Sequence, residues 1–188
     1  GFCLVGSEMC IRDRSKGIQA RSYSASQISM RTTSSFSKAK ILDVDENKIK
    51  DVLDEGMIPI ITGFQGITES GDITTLGRGG SDTTAVAIAS KINAKRCDIY
   101  TDVDGIFTAD PKVVPNAKKL DSITMEEMLE LASQGAKVMQ TRAVEFANKY
   151  KVPVKVLSSF NESSGTLISL EEKSMENALV SGLSLIHI

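Results

Sequence analysis

The sequence predicts an α/β protein, a three-layer αβα sandwich built around a mainly parallel, open sheet. Three observations carry that prediction. From residue 58 onward, short β-branched runs alternate with segments of helical periodicity. A glycine-rich run stands where one of those helices begins. The chain, at 188 residues and 41% hydrophobic, is long enough to bury one core.

The elements follow in order. Residues 18–42 alternate short apolar stretches with Ser and Thr clusters and read as short strands joined by a polar loop. Residues 47–55 place Ile49, Val52 and Leu53 at helical spacing, with Gly56 as the natural stop. IPIITGF, residues 58–64, is nearly continuous, apolar and β-branched, and reads as a buried strand leading through a loop or hairpin into the glycine run. A helix over 81–94 and a strand over 96–102 come next, the strand ending in Thr101 and Asp102. The irregular stretch from there to Lys119, with turns at Asp104-Gly105 and Asp110-Pro111, is long for a connector, and long ordered loops tend to carry function. Thr124 and Glu127 form a capping box, and Met125, Met128, Leu129 and Ala132 supply the apolar stripe of a helix that Gly135 closes. The methionines read as core filler. Ala143, Phe146, Ala147 and Tyr150 mark a further helix, residues 152–157 a strand, and residues 166–168 a last short one.

The glycine run, LGRGGSDTTA at residues 76–85, admits two readings. It is a turn capped by Ser81 or Asp82 with Arg78 solvated, or it is an anion site, in which first-turn N–H groups, the helix dipole and the planar fork of Arg78 converge on a carboxylate or phosphate. It is not a dinucleotide fingerprint, because Asp82 stands where the third glycine belongs. Gly66 to Gly71 has P-loop spacing, but Asp72 and Ile73 replace the Lys and Ser or Thr. In open α/β sheets ligands sit beyond the carboxyl ends of the strands. The glycine run, the Thr101-Asp102 loop and the segment after residues 152–157 are expected at one such edge, which favours the binding reading.

Composition narrows the chemistry. A net charge of −2 with mixed signs gives no footprint for nucleic acid or an anionic membrane, and no apolar run approaches the roughly 20 residues that span a bilayer. Residues 1–15 carry Cys3 and Cys10 and match nothing that follows; with residues 183–188, LSLIHI, they resemble translated adapter sequence and are set aside as non-native tails. Glu8, Arg12, Asp13 and Arg14 interrupt any signal-peptide core. The one histidine, His187, falls in the second tail and Cys97 is the sole cysteine of the body. Neither a Ser-His-Asp triad, nor a Cys-His pair, nor a His or Cys zinc site can be assembled from the remainder, and a lone cysteine suits a reducing cytoplasm. Any enzyme here works with carboxylates, lysines, arginines, hydroxyls and backbone dipoles.

Three stretches stand in the order of a known family: GFQGITESGDITTLGRGGSDTTAVAIA (63–89), CDIYTDVDGIFTADPKVVPNAKKL (97–120) and MLELASQGAKVMQTRAVEFA (128–147). On them the chain resembles the catalytic domain of the aspartate kinases, within the amino acid kinase family. The resemblance implies transfer of the γ-phosphoryl group of ATP, with Mg2+, to the side-chain carboxylate of L-aspartate, the first step toward lysine, threonine and methionine, in a homo-oligomeric cytoplasmic parent. By the same resemblance Arg78, Gly79, Gly80 and Ser81 hold aspartate, and Asp82 orients a catalytic lysine or a magnesium-bound water unless it is only a helix cap. Thr101, Asp102, Phe107 and Lys112 contact ATP, with Phe107 on the adenine or ribose side rather than in the core. Lys137 reaches the phosphates beside the Val138 backbone; outside the family pattern it would be a solvated lysine. No residue is assigned as a metal ligand.

The departures are also informative. The family's KFGGTS-type segment and the acidic substrate-site residue that follows it are not found in this sequence, and MQTRA varies the usual LHPRA-like stretch. The expected organisation is a partial amino acid kinase domain over 16–170, its nucleotide-binding part the more complete, then a linker over 171–182 toward ACT domains. Such a piece is expected to be inactive by itself. Two rivals stand beside this reading: a family member with another acceptor (acetylglutamate, glutamate, uridylate or carbamate), and a non-catalytic nucleotide-binding module.

Overall fold

The computed structural model describes residues 4–135 and 138–170. It divides into two compact units, Gly1–Ile92 and Asn93–Ile188. The α/β class is as predicted, and four of the seven strand pairings among the described residues are parallel. The hydrogen bonding runs through three small sheets. The tail and linker assigned to residues 171–188 lie outside the described residues.

In the first unit α1 (Leu4–Ser15) precedes β1 (Ala20–Tyr23), β2 (Arg31–Thr32), β3 (Ile41–Asp43), α2 (Glu46–Asp54), β4 (Ile58–Ile61), β5 (Gln65–Ile67), β6 (Ile73–Thr75) and α3 (Gly80–Lys91). Helix α1 was not anticipated; the buried Cys10 thiol and the Arg14 Nε–H both donate to the Ala20 carbonyl and so fasten it to β1. Strand β1 pairs in parallel with β4, and the other four strands form a sheet in the order β3-β2-β5-β6. Helix α2 begins at Asp45, whose carboxylate accepts from the Asn47 N–H, and ends before Gly56 at φ +75°, as its sequence requires. Ala25, Ile28, Met30, Val44 and Ile49 form a core cluster against which Ile88 and Ile92 pack, so α3 rests on it near its C-terminal end.

Strand β4 departs from the expectation of a buried strand. Its residues are half-buried and Ile58 is 48% exposed, because β1 is its single strand partner. The hairpin β5–β6 carries an unusually close contact. Gly66 lies under Thr32, whose methyl group occupies the space a Cβ would need, and the Thr32 and Thr74 hydroxyls share a buried hydrogen bond of 2.6 Å across it.

The second unit contains β7 (Cys97–Thr101), β8 (Ser122–Thr124), α4 (Met125–Ser133), α5 (Thr141–Tyr150), β9 (Val154–Ser158) and β10 (Thr166–Ser169), with strand order β7-β9-β10-β8. The Thr124–Glu127 capping box is present in full, with both reciprocal hydrogen bonds formed. Met125 and Met128 are buried, as the stripe implied, whereas Leu129 is only half-buried and Leu131 takes its place in the core. Among the described residues no helix is long and apolar enough to cross a membrane.

Asp43 ties β3 to the end of α3. It accepts from Lys91 Nζ at 2.6 Å and from the Arg31 guanidinium at 2.9 Å, and these two bonds hold its pKa down at about 2. A carboxyl depressed in the folded state stabilises above its ordinary value and loses that contribution as the pH falls. Asp43→Asn should therefore cost up to about 1 kcal/mol at neutral pH, the exposure of the partners limiting the effect, and should flatten the acid limb of stability between about pH 4 and pH 2. Denaturant melts across that range test it. Gly66→Ala should destabilise by about 1–3 kcal/mol, because the added methyl must displace the buried Thr32; the same melts at neutral pH report it.

Candidate active site

The glycine run enters α3 through backbone geometry alone. Gly77 and Gly79 both adopt left-handed φ, +78° and +69°, and Gly79 is the N-cap without any side-chain capping bond. The capping role offered for Ser81 or Asp82 is thereby ruled out: both lie inside the first turn, and their side chains do not close the helix. Gly80 is required for packing, since a Cβ there would come within 2.8 Å of Leu76 Cβ and 2.9 Å of Phe64 Cδ2.

Two threonines lock this start. The Thr83 hydroxyl donates to the Gly79 carbonyl (3.0 Å) and the Thr84 hydroxyl to the Gly80 carbonyl (2.8 Å), both back along the helix. Thr84 Oγ1 also accepts from the Phe64 N–H, and the Phe64 carbonyl accepts from the Leu76 N–H. These bonds hold Phe64 at φ +71°, a conformation costly for an aromatic residue. Sequence reasoning missed this support: only the pair Gly63-Phe64 at the end of β4 hints at a sharp change of direction.

The groups left over point to ligand binding. Among the described residues the N–H groups of Ser81 and Asp82 have no backbone acceptor, and Arg78, exposed, makes no ion pair or side-chain hydrogen bond. Asp82 is half-buried and has no salt-bridge partner among those residues. Burial pushes its carboxyl pKa up, and a hydrogen bond from Ser81 offsets part of that shift. Two donors at the positive end of a helix and an unpaired guanidinium are groups of the kind that can receive a carboxylate.

The remaining candidates belong to the second unit. Thr101 ends β7 and pairs in register with Ser158 of the parallel β9, while the Ser159 N–H donates to the Thr101 carbonyl, so these two carboxyl ends lie side by side as expected. The Thr101 hydroxyl donates to the exposed Asp102 carboxylate (3.2 Å). Phe107 is half-buried, in an isolated antiparallel bridge to Lys119, and is not a core aromatic. Lys112 is exposed in the Asp110 turn, where its N–H donates to the Asp110 side chain. Val138 is half-buried, and Lys137 lies outside the described residues. Arg78 to Asp82 thus form one contiguous group, and Thr101, Asp102, Phe107 and Lys112 sit on the end of β7 and the loop that leaves it.

Residues 2–158 match the model of the amino acid kinase family. Over 170 residues the chain is 55% identical to the aspartate kinase of Pseudomonas putida, covering 90% of this chain and 41% of that protein. Over 173 residues it is 53% identical to the aspartokinase of Mycolicibacterium smegmatis, with the same two coverages. The crystal structure of E. coli aspartokinase III in complex with aspartate and ADP superposes with a TM-score of 0.77 at 37% identity, covering 85% of this chain and 37% of that one. The chain therefore spans 41% of the length of these curated relatives. With a family match that takes in both groups of candidate residues, the chain belongs to the amino acid kinase family.

Proposed function

We propose that this chain carries the aspartate grip and the nucleotide loop of an aspartate kinase, which phosphorylates the side-chain carboxylate of L-aspartate to 4-phospho-L-aspartate. The observation that carries the reading is the N-terminus of α3, where an unpaired Arg78 and two free N–H groups face outward beside a half-buried Asp82. The relatives named above act on aspartate by name, and one is seen with aspartate and ADP.

The chemistry needs little acid–base help. The acceptor carboxylate has an ordinary pKa of about 3.9 and is already ionised at neutral pH, so a site without histidine suffices. Arg78 grips a carboxylate in a bidentate fork, and Ser81 and the first-turn N–H groups complete the orientation. Asp82 orients the cationic groups around the transferred phosphoryl, its unpaired carboxylate waiting for such a partner. Thr101, Asp102, Phe107, Lys112 and Lys137, with Val138, face the nucleotide. ATP supplies the phosphoryl group and Mg2+ screens its charge. Mg2+ would be carried largely by the phosphate oxygens of ATP. The reading includes a homo-oligomeric, cytoplasmic parent.

The direct experiment replaces the matching region of the Pseudomonas putida enzyme with residues 16–170 and traps the acyl phosphate with hydroxylamine. Hydroxamate formed with aspartate, and not with glutamate, acetylglutamate or uridylate, supports the reading; no turnover with aspartate while another acceptor is used refutes it. The isolated chain should show no turnover, because the family's KFGGTS-type segment is not in its sequence.

In the chimaera Arg78→Ala should raise KM for aspartate roughly ten- to hundredfold, the loss expected for a charge-assisted pair, with KM for ATP nearly unchanged. Initial-rate kinetics separate the two. Asp82→Asn should lower kcat at least about a hundredfold and yet raise stability at neutral pH. Its carboxyl pKa is raised in the folded protein, so the charged form destabilises above that pKa and the penalty vanishes as the pH falls below the ordinary carboxylate range. Melting temperatures of variant and parent should converge at acid pH.

A further inference from the structure

We infer that Thr166, the first residue of β10, is a positioning residue for the nucleotide, its buried hydroxyl clamping the base of the loop that presents Phe107 and Lys112. The inference rests on the assignment of that loop to ATP. Thr166 is fully buried, and its Oγ1 accepts from the Ile106 N–H at 2.9 Å and donates to the Leu120 carbonyl at 2.6 Å. Leu120 N–H in turn donates to the Ile106 carbonyl. One hydroxyl thus joins both ends of the loop, and a threonine hydroxyl can donate one bond while accepting others.

Above this clamp the loop is a narrow hairpin. Phe107 pairs with Lys119, and the Thr108 N–H donates to the Lys118 carbonyl while the Lys118 N–H donates to the Thr108 hydroxyl. Lys112 rides at its tip. The turn before β10 adds further anchors. Asn161 Nδ2 donates to the Asp104 carboxylate at 2.6 Å, and Lys119 Nζ donates to the Ser164 hydroxyl at 2.8 Å. Gly105, at φ +143°, passes so close that a Cβ would sit 2.6 Å from Thr166 Oγ1. A loop without helix or strand of its own, apart from one bridge, is held by a strand about sixty residues away in sequence.

Without the hydroxyl, the buried Ile106 N–H loses its acceptor and the loop must be ordered when the nucleotide binds. In the chimaeric enzyme Thr166→Val should raise KM for ATP roughly tenfold, with KM for aspartate unchanged, and Thr166→Ser should restore it. Asn161→Ala, at an exposed position, should raise KM for ATP by a smaller factor and serves as the deciding variant if Thr166→Val does not fold. Phe107→Ala tests the underlying assignment. If Phe107→Ala raises KM for ATP while the Thr166→Val and Asn161→Ala enzymes match the parent, the clamp is overturned and the loop assignment stands. If Phe107→Ala leaves KM for ATP unchanged, the loop does not serve the nucleotide and the inference falls with it. An equal rise in KM for both substrates in Thr166→Val would show a merely structural role and overturn the proposal.

Discussion

The left-handed turn at Gly79 is the constraint on which the proposed aspartate cradle depends. Most helices are closed by a side chain that consumes an orphan N–H. Here the backbone makes the entry, so neither the Ser81 nor the Asp82 side chain caps the helix and their N–H groups have no backbone acceptor among the described residues. That arrangement is possible only because Gly80 leaves room for Leu76 and Phe64, and because Thr84 holds both the Gly80 carbonyl and the strained Phe64. At the other end, Ile88 and Ile92 rest on the core and Lys91 is bonded to Asp43. The helix is fixed where it meets the core and presents unpaired polar groups where it meets solvent.

The polar interior of both units is built from hydroxyls. Among the described residues the buried polar ones are Thr32, Thr68, Thr74, Thr83, Thr84, Thr166 and Ser158, with no charged side chain among them. Among the described residues no buried side-chain nitrogen or oxygen lacks a partner. A hydroxyl carries no charge to desolvate and can join a donor to an acceptor, so it ties loops together at little electrostatic cost. Thr32 with Thr74 closes the β5–β6 hairpin, Thr84 the glycine run and Thr166 the β7–β8 loop. Among the described residues the charged side chains are exposed or half-buried, and at the half-buried Asp82 burial raises the carboxyl pKa. Its raised pKa, with no salt-bridge partner among the described residues, is consistent with the role proposed for it beside the substrate.

Elements whose signals are local were legible in the sequence. The Thr124–Glu127 box, the stop at Gly56, the helix α5 and the strand expected at 152–157, found as β9 at Val154–Ser158, each depend on residues within one or two turns; along α5 Ala143 and Ala147 are buried as expected, with Val144 rather than Tyr150 beside them. The short β8 was not legible, because three residues running into a helix cap show no period. The exposure of β4 was hidden too: an apolar, β-branched run looks the same whether it has one strand neighbour or two. At the site, the residue types of the glycine run pointed to an anion, but that no side chain caps the helix turned on φ at Gly79.

The sequence by itself determined the class of fold, the family and the identity of the groups available for chemistry, since composition, periodicity and motif order are properties of the chain alone. Only the tertiary structure decided how those groups are held. It left Ser81 and Asp82 free of capping duty, placed Phe64 in a strained conformation under Thr84, and brought Thr166 to the base of a loop about sixty residues earlier. Each of these depends on a hydrogen bond between residues distant in sequence or on a single dihedral angle. Neither leaves a periodic trace along the chain.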